Sequence, residues 1–402
     1  MRRVVITGAG AITPLGMGAG ETMRAMAAGK NGISALDFPD VERLQIRIGG
    51  QIHGFRPEDH FSRSEIALYD RFTQFAVLAS KEAVAQSGLD IAALGPRAAV
   101  VIGSSGGGLM TQNDNFKLVF QEGKNRVHPL VVPRLMANAA SSHLSMNHGI
   151  IGPGYTVSTA CASSNHAIGQ AFHMVRSGMV DAALTGGSEA MLCFGGIKAW
   201  EGLRVMSRIG CRPFDKSRDG MVQGEGAAVF VLETLEAAEA RGAEILAEIA
   251  GFAMSSDAAD IVMPNRKGAV QAMRGAVADA GLELSEIGYI NAHGTATAAN
   301  DRVECEAIYQ VFGAHAEKLL VSSTKSMHGH LIGATGAVEL LACIMALKDG
   351  VIAPTINHSA PDPECGLNLV PNIAQRAQIP AALSHAFAFG GLNAVLALRP
   401  PP

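Results

Sequence analysis

The chain has 402 residues, 48% hydrophobic and only 17% charged, with 46 glycines, 5% aromatics and a net charge of −4. That length and apolar content support a large buried core and exclude disorder. The slightly acidic balance, with no basic stripe carrying interleaved aromatics, argues against nucleic acid as a partner.

Val4–Thr7 is the first strand-length apolar run. Its lead of Met1-Arg2-Arg3 is short and the run ends early at Gly8, so it reads as a strand rather than a secretion signal. Gly8-Ala9-Gly10 begins a dinucleotide fingerprint, but Thr13 stands where the third glycine is required. A helical period through Phe75, Leu78, Ala79 and Ala83 closes before Gly88. Further strands are predicted over Ala98–Ile102, Ala182–Thr185, Ala227–Leu232, Leu246–Gly251, Tyr289–Ala292 and Leu319–Ser322. They are β-branched or Ala-rich, as strands covered on both faces must be. Helices are predicted through Ala167, Ile168, Ala171, Phe172 and Val175 up to Gly178, over the charged Glu233–Gly242 segment, and from about Ala334 to Lys348 before Gly350. The apolar stretch 179–197 holds Asp181, Glu189 and two glycine pairs and is too interrupted to cross a bilayer. Alternating strands and helices define an α/β sheet protein. The Glu233–Gly242 helix closes a first half, 1–243. A second half, 244–402, repeats the sequence of strand, glycine turn and helix, which hints at duplication. Pro400–Pro402 is a frayed end.

Six cysteines, at 161, 193, 211, 305, 343 and 365, contain no C-x-x-C pair. Structural zinc is therefore not expected, and reduced thiols in the cytoplasm fit a chain this long. Cys161 stands where a buried strand stops and a helix begins, in Thr156-Val157-Ser158-Thr159-Ala160-Cys161-Ala162-Ser163. The free N–H groups and partial positive charge of a helix N-terminus lower a thiol pKa and favour the nucleophilic thiolate. Alone, such a cysteine is more often a small capping residue of the core. Two histidines in glycine turns change that: His293 in Asn-Ala-His-Gly-Thr and His330 in Lys-Ser-Met-His-Gly-His. Each follows a predicted strand, as does Lys325, at the strand ends where α/β proteins build sites. One cysteine with distant histidines is the pattern of a covalent thiol enzyme. Two rivals compete. Gly103-Ser104-Ser105-Gly106-Gly107 matches G-x-S-x-G, which makes Ser105 a hydrolase nucleophile with Asp301 and His330 in a permitted order. Ser322-Ser323-Thr324-Lys325 matches S-x-x-K.

At these residues the chain resembles the β-ketoacyl-acyl carrier protein synthases of the thiolase-like superfamily. The resemblance rests on Ser158–Ser163 around Cys161, Asn291–Thr295, Ser323–Met327, Gly329-His330-Leu331 with Gly333-Ala334, and Phe389-Gly390-Gly391 with Asn393. Pro213-Phe214-Asp215, Arg218-Asp219-Gly220 and Gly224-Glu225-Gly226 also match, so it spans the chain in order. It is closest to the second type of synthase. Asn165–Ile168, Lys198–Glu201 and Cys305–Phe312 look more like the nodulation E branch.

The resemblance implies two duplicated βαβαβαββ halves in a five-layer αβαβα arrangement, assembled as a homodimer or a heterodimer. It implies decarboxylating condensation of an acyl group with malonyl-acyl carrier protein. The phosphopantetheine arm comes with the carrier protein, and no metal or cofactor resides in the chain. Cys161 is then the acyl acceptor, His293 and His330 bond the malonyl thioester carbonyl, and Lys325 sets the electrostatics. The N–H groups of Cys161 and Phe389 form an oxyanion hole, and Phe389 gates the acyl pocket beside Gly390. Thr295 and Thr297 contact phosphopantetheine, while Asp301, Glu304 and Glu339 support the site from behind. A non-catalytic partner subunit of a heterodimer is the alternative; such subunits commonly lack the cysteine.

Several positions depart from the pattern. Gly106 and Val131 replace bulkier residues at the acyl pocket, and Trp200, the only tryptophan, offsets that lost volume. His328 replaces a usual Thr beside the second histidine turn. Ser64–Tyr69 lacks the basic cluster used to dock the acidic carrier protein, leaving Arg63, Arg71, Lys124, Arg126 and Arg204 as candidates.

Overall fold

The computed structural model describes all 402 residues. Its framework is ten strands: β1 (Val4–Ile12), β2 (Ala98–Gly103), β3 (Gly154–Val157), β4 (Ala182–Glu189), β5 (Gly226–Thr234), β6 (Ala247–Ser256), β7 (Ile287–Asn291), β8 (Leu320–Ser322), β9 (Ala381–Phe387) and β10 (Leu392–Arg399). The spatial order is β8-β7-β9-β10-β6-β1-β5-β4-β2-β3. Outward from β1, the neighbours run antiparallel to β5, antiparallel to β4, parallel to β2 and parallel to β3. Outward from β6, the same series recurs through β10, β9, β7 and β8. The two five-stranded sheets meet only at Val4–Ile6 against Ala247–Ile249. This is the duplication that the sequence hinted at.

Five helices complete the layers: α1 (Arg71–Ser87), α2 (Ser163–Arg176), α3 (Arg266–Asp279), α4 (Ala298–Phe312) and α5 (Thr335–Asp349). Helix α1 covers the outer face of the first sheet, and α3 with α4 covers that of the second. Helices α2 and α5 lie together between the sheets. The order is therefore αβαβα. Thr335–Leu347 of α5 is buried on every face, as its unbroken apolar run requires. Each central helix is entered through a short 3₁₀ turn led by a non-glycine residue at φ 47, Ala160 before α2 and Ile332 before α5. That left-handed conformation costs roughly 1–3 kcal/mol, and its recurrence marks the two turns as equivalent.

The glycines of the failed dinucleotide pattern have a packing role. A Cβ at Gly8 would lie 2.0 Å from the Ala83 carbonyl oxygen, and one at Gly10 2.0 Å from that of Ala79, so α1 presses directly on β1. Three expectations need correction. The strand before Cys161 is not buried: β3 is an edge strand with Gly154 and Tyr155 exposed. The helix expected over Glu233–Gly242 shortens to Leu235–Ala240, because Glu233 still pairs within β5 and Thr234 caps the helix. Finally, the thiols are not all free. Cys305 on α4 and Cys365 are disulfide-bonded, brought to a Cα separation of 5.7 Å across 60 residues of chain. No helix is long and apolar enough to cross a membrane.

Candidate active site

Cys161 lies in the turn Ala160–Ala162 and is 5% exposed. The turn is pinned by Ser163, whose Oγ accepts the Thr159 N–H at 2.9 Å and donates to the Ala160 carbonyl at 2.7 Å. Burial pushes the Cys161 thiol up to about 11, while the N–H groups of Phe389 and of Cys161 itself and the Lys325 charge pull the other way. The expected lowering by the helix N-terminus is thus outweighed by burial. The two N–H groups converge on the sulfur, where an acyl oxyanion would form.

His293 follows the end of β7, and Lys325 and His330 follow β8. The Cys161 sulfur and one ring nitrogen from each histidine lie within 4.8 Å of one another. The imidazoles are 5.6 Å apart and nearly perpendicular, at 85°. The His330 tautomer follows from its partners. Its Nδ1 accepts the Ile332 backbone N–H at 3.2 Å and contacts the Thr335 hydroxyl at 2.8 Å. A backbone N–H can only donate, so the ring proton is on Nε2, which has no partner. Burial and the Lys325 charge hold both histidines well below the ordinary histidine range, hence neutral.

The same three side chains could be read as a metal site. The His330 bonding disfavours that. A ligating histidine usually donates its other N–H to an acceptor, whereas His330 Nδ1 receives hydrogen bonds and Nε2 is itself protonated. The arrangement is a pair of neutral imidazoles beside a thiol, with the His330 Nε2–H free to donate.

The supporting carboxylates divide the work. Glu339 on α5 takes the buried Lys325 ammonium at 2.6 Å. Glu304 on α4 accepts the N–H groups of His293 and Gly294, both at 2.8 Å, and contacts His385 Nδ1 at 3.0 Å. Asp301 does not reach the histidines. It accepts the Phe214 N–H at 2.7 Å and holds the Pro213–Asp215 loop.

A largely apolar cleft leads to Cys161 and both histidines. Thr295, Thr297, Trp200 and Phe389 also line it. Trp200 stacks on Phe389, with centroids 5.9 Å apart and planes at 25°. Gly390, Gly106 and Val131 are not part of this lining. Gly390 donates its N–H to the Ile261 carbonyl instead. The volume freed at Gly106 is already taken, since a Cβ there would meet the Met191 sulfur at 2.9 Å. Arg63, Lys124, Arg126 and Arg204 are exposed and make no ion pair. Arg71, by contrast, is bound to buried Glu225 at 2.7 Å and is not free to dock anything.

Ser105 fails as a nucleophile. Asp301 is committed to Phe214, His330 Nδ1 to Ile332 and Thr335, and Ser105 is not in the cleft. Its backbone N–H instead points to Glu189, a residue that the sequence reading passed over. Glu189 is fully buried and accepts the N–H groups of Ser105, Gly106 and Gly333 at 2.8, 3.0 and 3.1 Å. It ties the first half to the Gly333 turn of the second. An acid closing the apolar Ala182–Thr185 run was the available signal. His385, inside β9, was missed too.

Comparison with known proteins places these features in context. Residues 1–238 match the Beta-ketoacyl synthase, N-terminal domain family, and residues 246–359 its C-terminal domain. The chain is similar to Nodulation protein E of Rhizobium sp. (strain N33), 44% identical over 399 residues and covering 99% of both chains. It is 42% identical over 406 residues to 3-oxoacyl-[acyl-carrier-protein] synthase 2 of Staphylococcus aureus (strain COL), covering 99% of this chain and 98% of that one. Among solved structures, the ishigamide ketosynthase/chain length factor superposes over the whole of both chains with a TM-score of 0.95 at 36% identity.

Proposed function

Because the chain belongs to the beta-ketoacyl synthase family, an acyltransferase-type condensing enzyme that works on acyl carrier protein, we propose that Cys161, His293 and His330 carry its chemistry. The observation that carries this reading is the free His330 Nε2–H beside the Cys161 sulfur.

The Cys161 sulfur attacks the acyl thioester carbonyl, and the charge on oxygen is met by the Cys161 and Phe389 N–H groups. The phosphopantetheine thiol leaves with the proton that Cys161 gives up. Malonyl-carrier protein then enters along Thr295 and Thr297. Its carboxylate departs as carbon dioxide, and the electron pair stays as an enolate whose oxygen is held by His330 Nε2–H and by His293. The enolate carbon attacks the acyl carbon; a C–C bond forms, the C–S bond to Cys161 breaks, and the released thiolate takes a proton from water to restore the thiol. Neutral imidazoles suit this step because they donate without pairing permanently to the departing carboxylate. Lys325 lowers both histidines and the thiol through its charge. Phe389, stacked on Trp200 in the lining of the cleft, gates the acyl end.

The two halves, 1–243 and 244–402, act as one catalytic body. The acidic carrier protein docks through Arg63, Lys124, Arg126 and Arg204, which is supported by their exposure and unpaired charge. A homodimer is supported by the exposed edge of β3, with Tyr155 at 38% and neighbouring Ile151 at 75% exposed. Cytoplasmic action is supported by the free thiols of Cys161, Cys193, Cys211 and Cys343, while the Cys305–Cys365 bond weighs the other way. Purified protein given acyl- and malonyl-carrier protein should release carbon dioxide and form β-ketoacyl-carrier protein. Cys161→Ala should abolish the product; normal elongation by that variant would reject the assignment.

A further inference from the structure

His328 stands in the same turn as His330, and the condensation described above has no use for it. It is fully buried. Its Nδ1 lies 2.7 Å from the Gly329 carbonyl oxygen and its Nε2 lies 3.0 Å from the Thr324 hydroxyl. A carbonyl only accepts, so the ring proton is on Nδ1, and Nε2 accepts from Thr324. Burial and Lys325 push the ring down to about 3, so this tautomer persists at working pH.

These bonds fall on the parts of the site that must not move. The Gly329 carbonyl belongs to the peptide that leads into His330, and the N–H of that peptide donates to the Val222 carbonyl at 2.7 Å. The peptide is thus gripped at both ends. Thr324 immediately precedes Lys325, and the Asn291 side chain, at the end of the strand leading to His293, reaches the Thr324 hydroxyl at 3.5 Å. No room exists for relaxation behind the turn: a Cβ on Gly50 or Gly224 would lie 2.1 or 2.5 Å from the His328 carbonyl oxygen. A Thr in place of His328 is too short to reach both partners. None of these links runs to Cys161 or Phe389.

We propose that His328 is a positioning residue that fixes the Gly329–His330 peptide and ties it through Thr324 to the Lys325 and His293 turns, so that malonyl decarboxylation depends on it and acyl loading of Cys161 does not. This rests on the condensation reading. The test separates the two half-reactions in full-length protein: acyl mass on the Cys161 peptide from acyl-carrier protein, and carbon dioxide release from malonyl-carrier protein. His328→Ala should slow carbon dioxide release at least tenfold and leave loading within threefold. His328→Asn places an amide N–H near the lost Nδ1–H and should recover release to within threefold. Thr324→Val, which removes only the hydroxyl, should give an intermediate loss and carries the test if His328→Ala does not fold. Release at the wild-type rate by His328→Ala or, where that variant does not fold, by Thr324→Val, or equal loss of both half-reactions, would overturn the proposal while leaving the condensation reading intact. Wild-type protein that loads Cys161 but releases no carbon dioxide would overturn both.

Discussion

The Lys325 ammonium lies 2.6 Å from the Glu339 carboxylate with both side chains buried to within 1%. The pair joins the turn after β8 to the middle of α5 and places one cation beneath the thiol and both histidines. Burial pushes Glu339 up to about 7, and Lys325 opposes that rise. Breaking such a pair from one side leaves an uncompensated buried charge, at roughly 3–5 kcal/mol. Glu339→Gln should therefore lower stability in urea by about that amount, and the Lys325→Met, Glu339→Leu double variant should recover much of it while remaining inactive. A Glu339→Gln protein as stable as wild type would contradict the pairing.

The pH response of Cys161 follows from its surroundings. A thiol pushed up to about 11 is protonated at neutral pH. Each unit of pH below that value cuts the thiolate about tenfold. Alkylation of Cys161 by iodoacetamide in the unloaded protein should therefore keep climbing from pH 7 to pH 10. A plateau below pH 8 would mean that the converging N–H groups outweigh burial.

Glu189 should prove structural. Both its oxygens receive backbone N–H groups, so neither orientation of a Gln amide avoids setting an NH₂ against a donor. Glu189→Gln is expected to cost about 1–3 kcal/mol per mismatched donor, read from the urea midpoint, and to loosen the Gly333 turn. Unchanged stability would remove its bridging role.

The Cys305–Cys365 bond joins α4 to the chain beyond α5, 60 residues later. Such a crosslink contributes about 2–4 kcal/mol. Unreduced protein should yield one joined peptide holding both residues, and Cys365→Ser should lower stability by that amount. Recovery of two alkylated thiols without reductant would contradict it.

Much of this was legible in the chain. Seven strand segments announced themselves because both faces are covered and their residues are uniformly apolar. Cys161 stood out because a strand gives way to a helix at that point, and His293, Lys325 and His330 because the turns after their strands carry glycine. What stayed hidden depends on distant partners. β9 was missed because Ser384 and His385 interrupt its apolar run, and the partner that lets His385 be buried, Glu304, lies 81 residues away. The thiol pKa was misjudged because the helix terminus is visible in sequence while the burial around it is not. Gly106 promised space that Met191, 85 residues later, occupies. Arg71 looked like a free docking charge until the fold brought Glu225 against it.

The central claim is that the Cys161 sulfur accepts the acyl group. The direct measurement is peptide mass spectrometry after incubating the protein with acyl-carrier protein alone. An acyl mass on the Cys161 peptide, discharged when malonyl-carrier protein is added, is the expected result; an acyl mass on the Ser105 peptide, or none on either, would contradict the account.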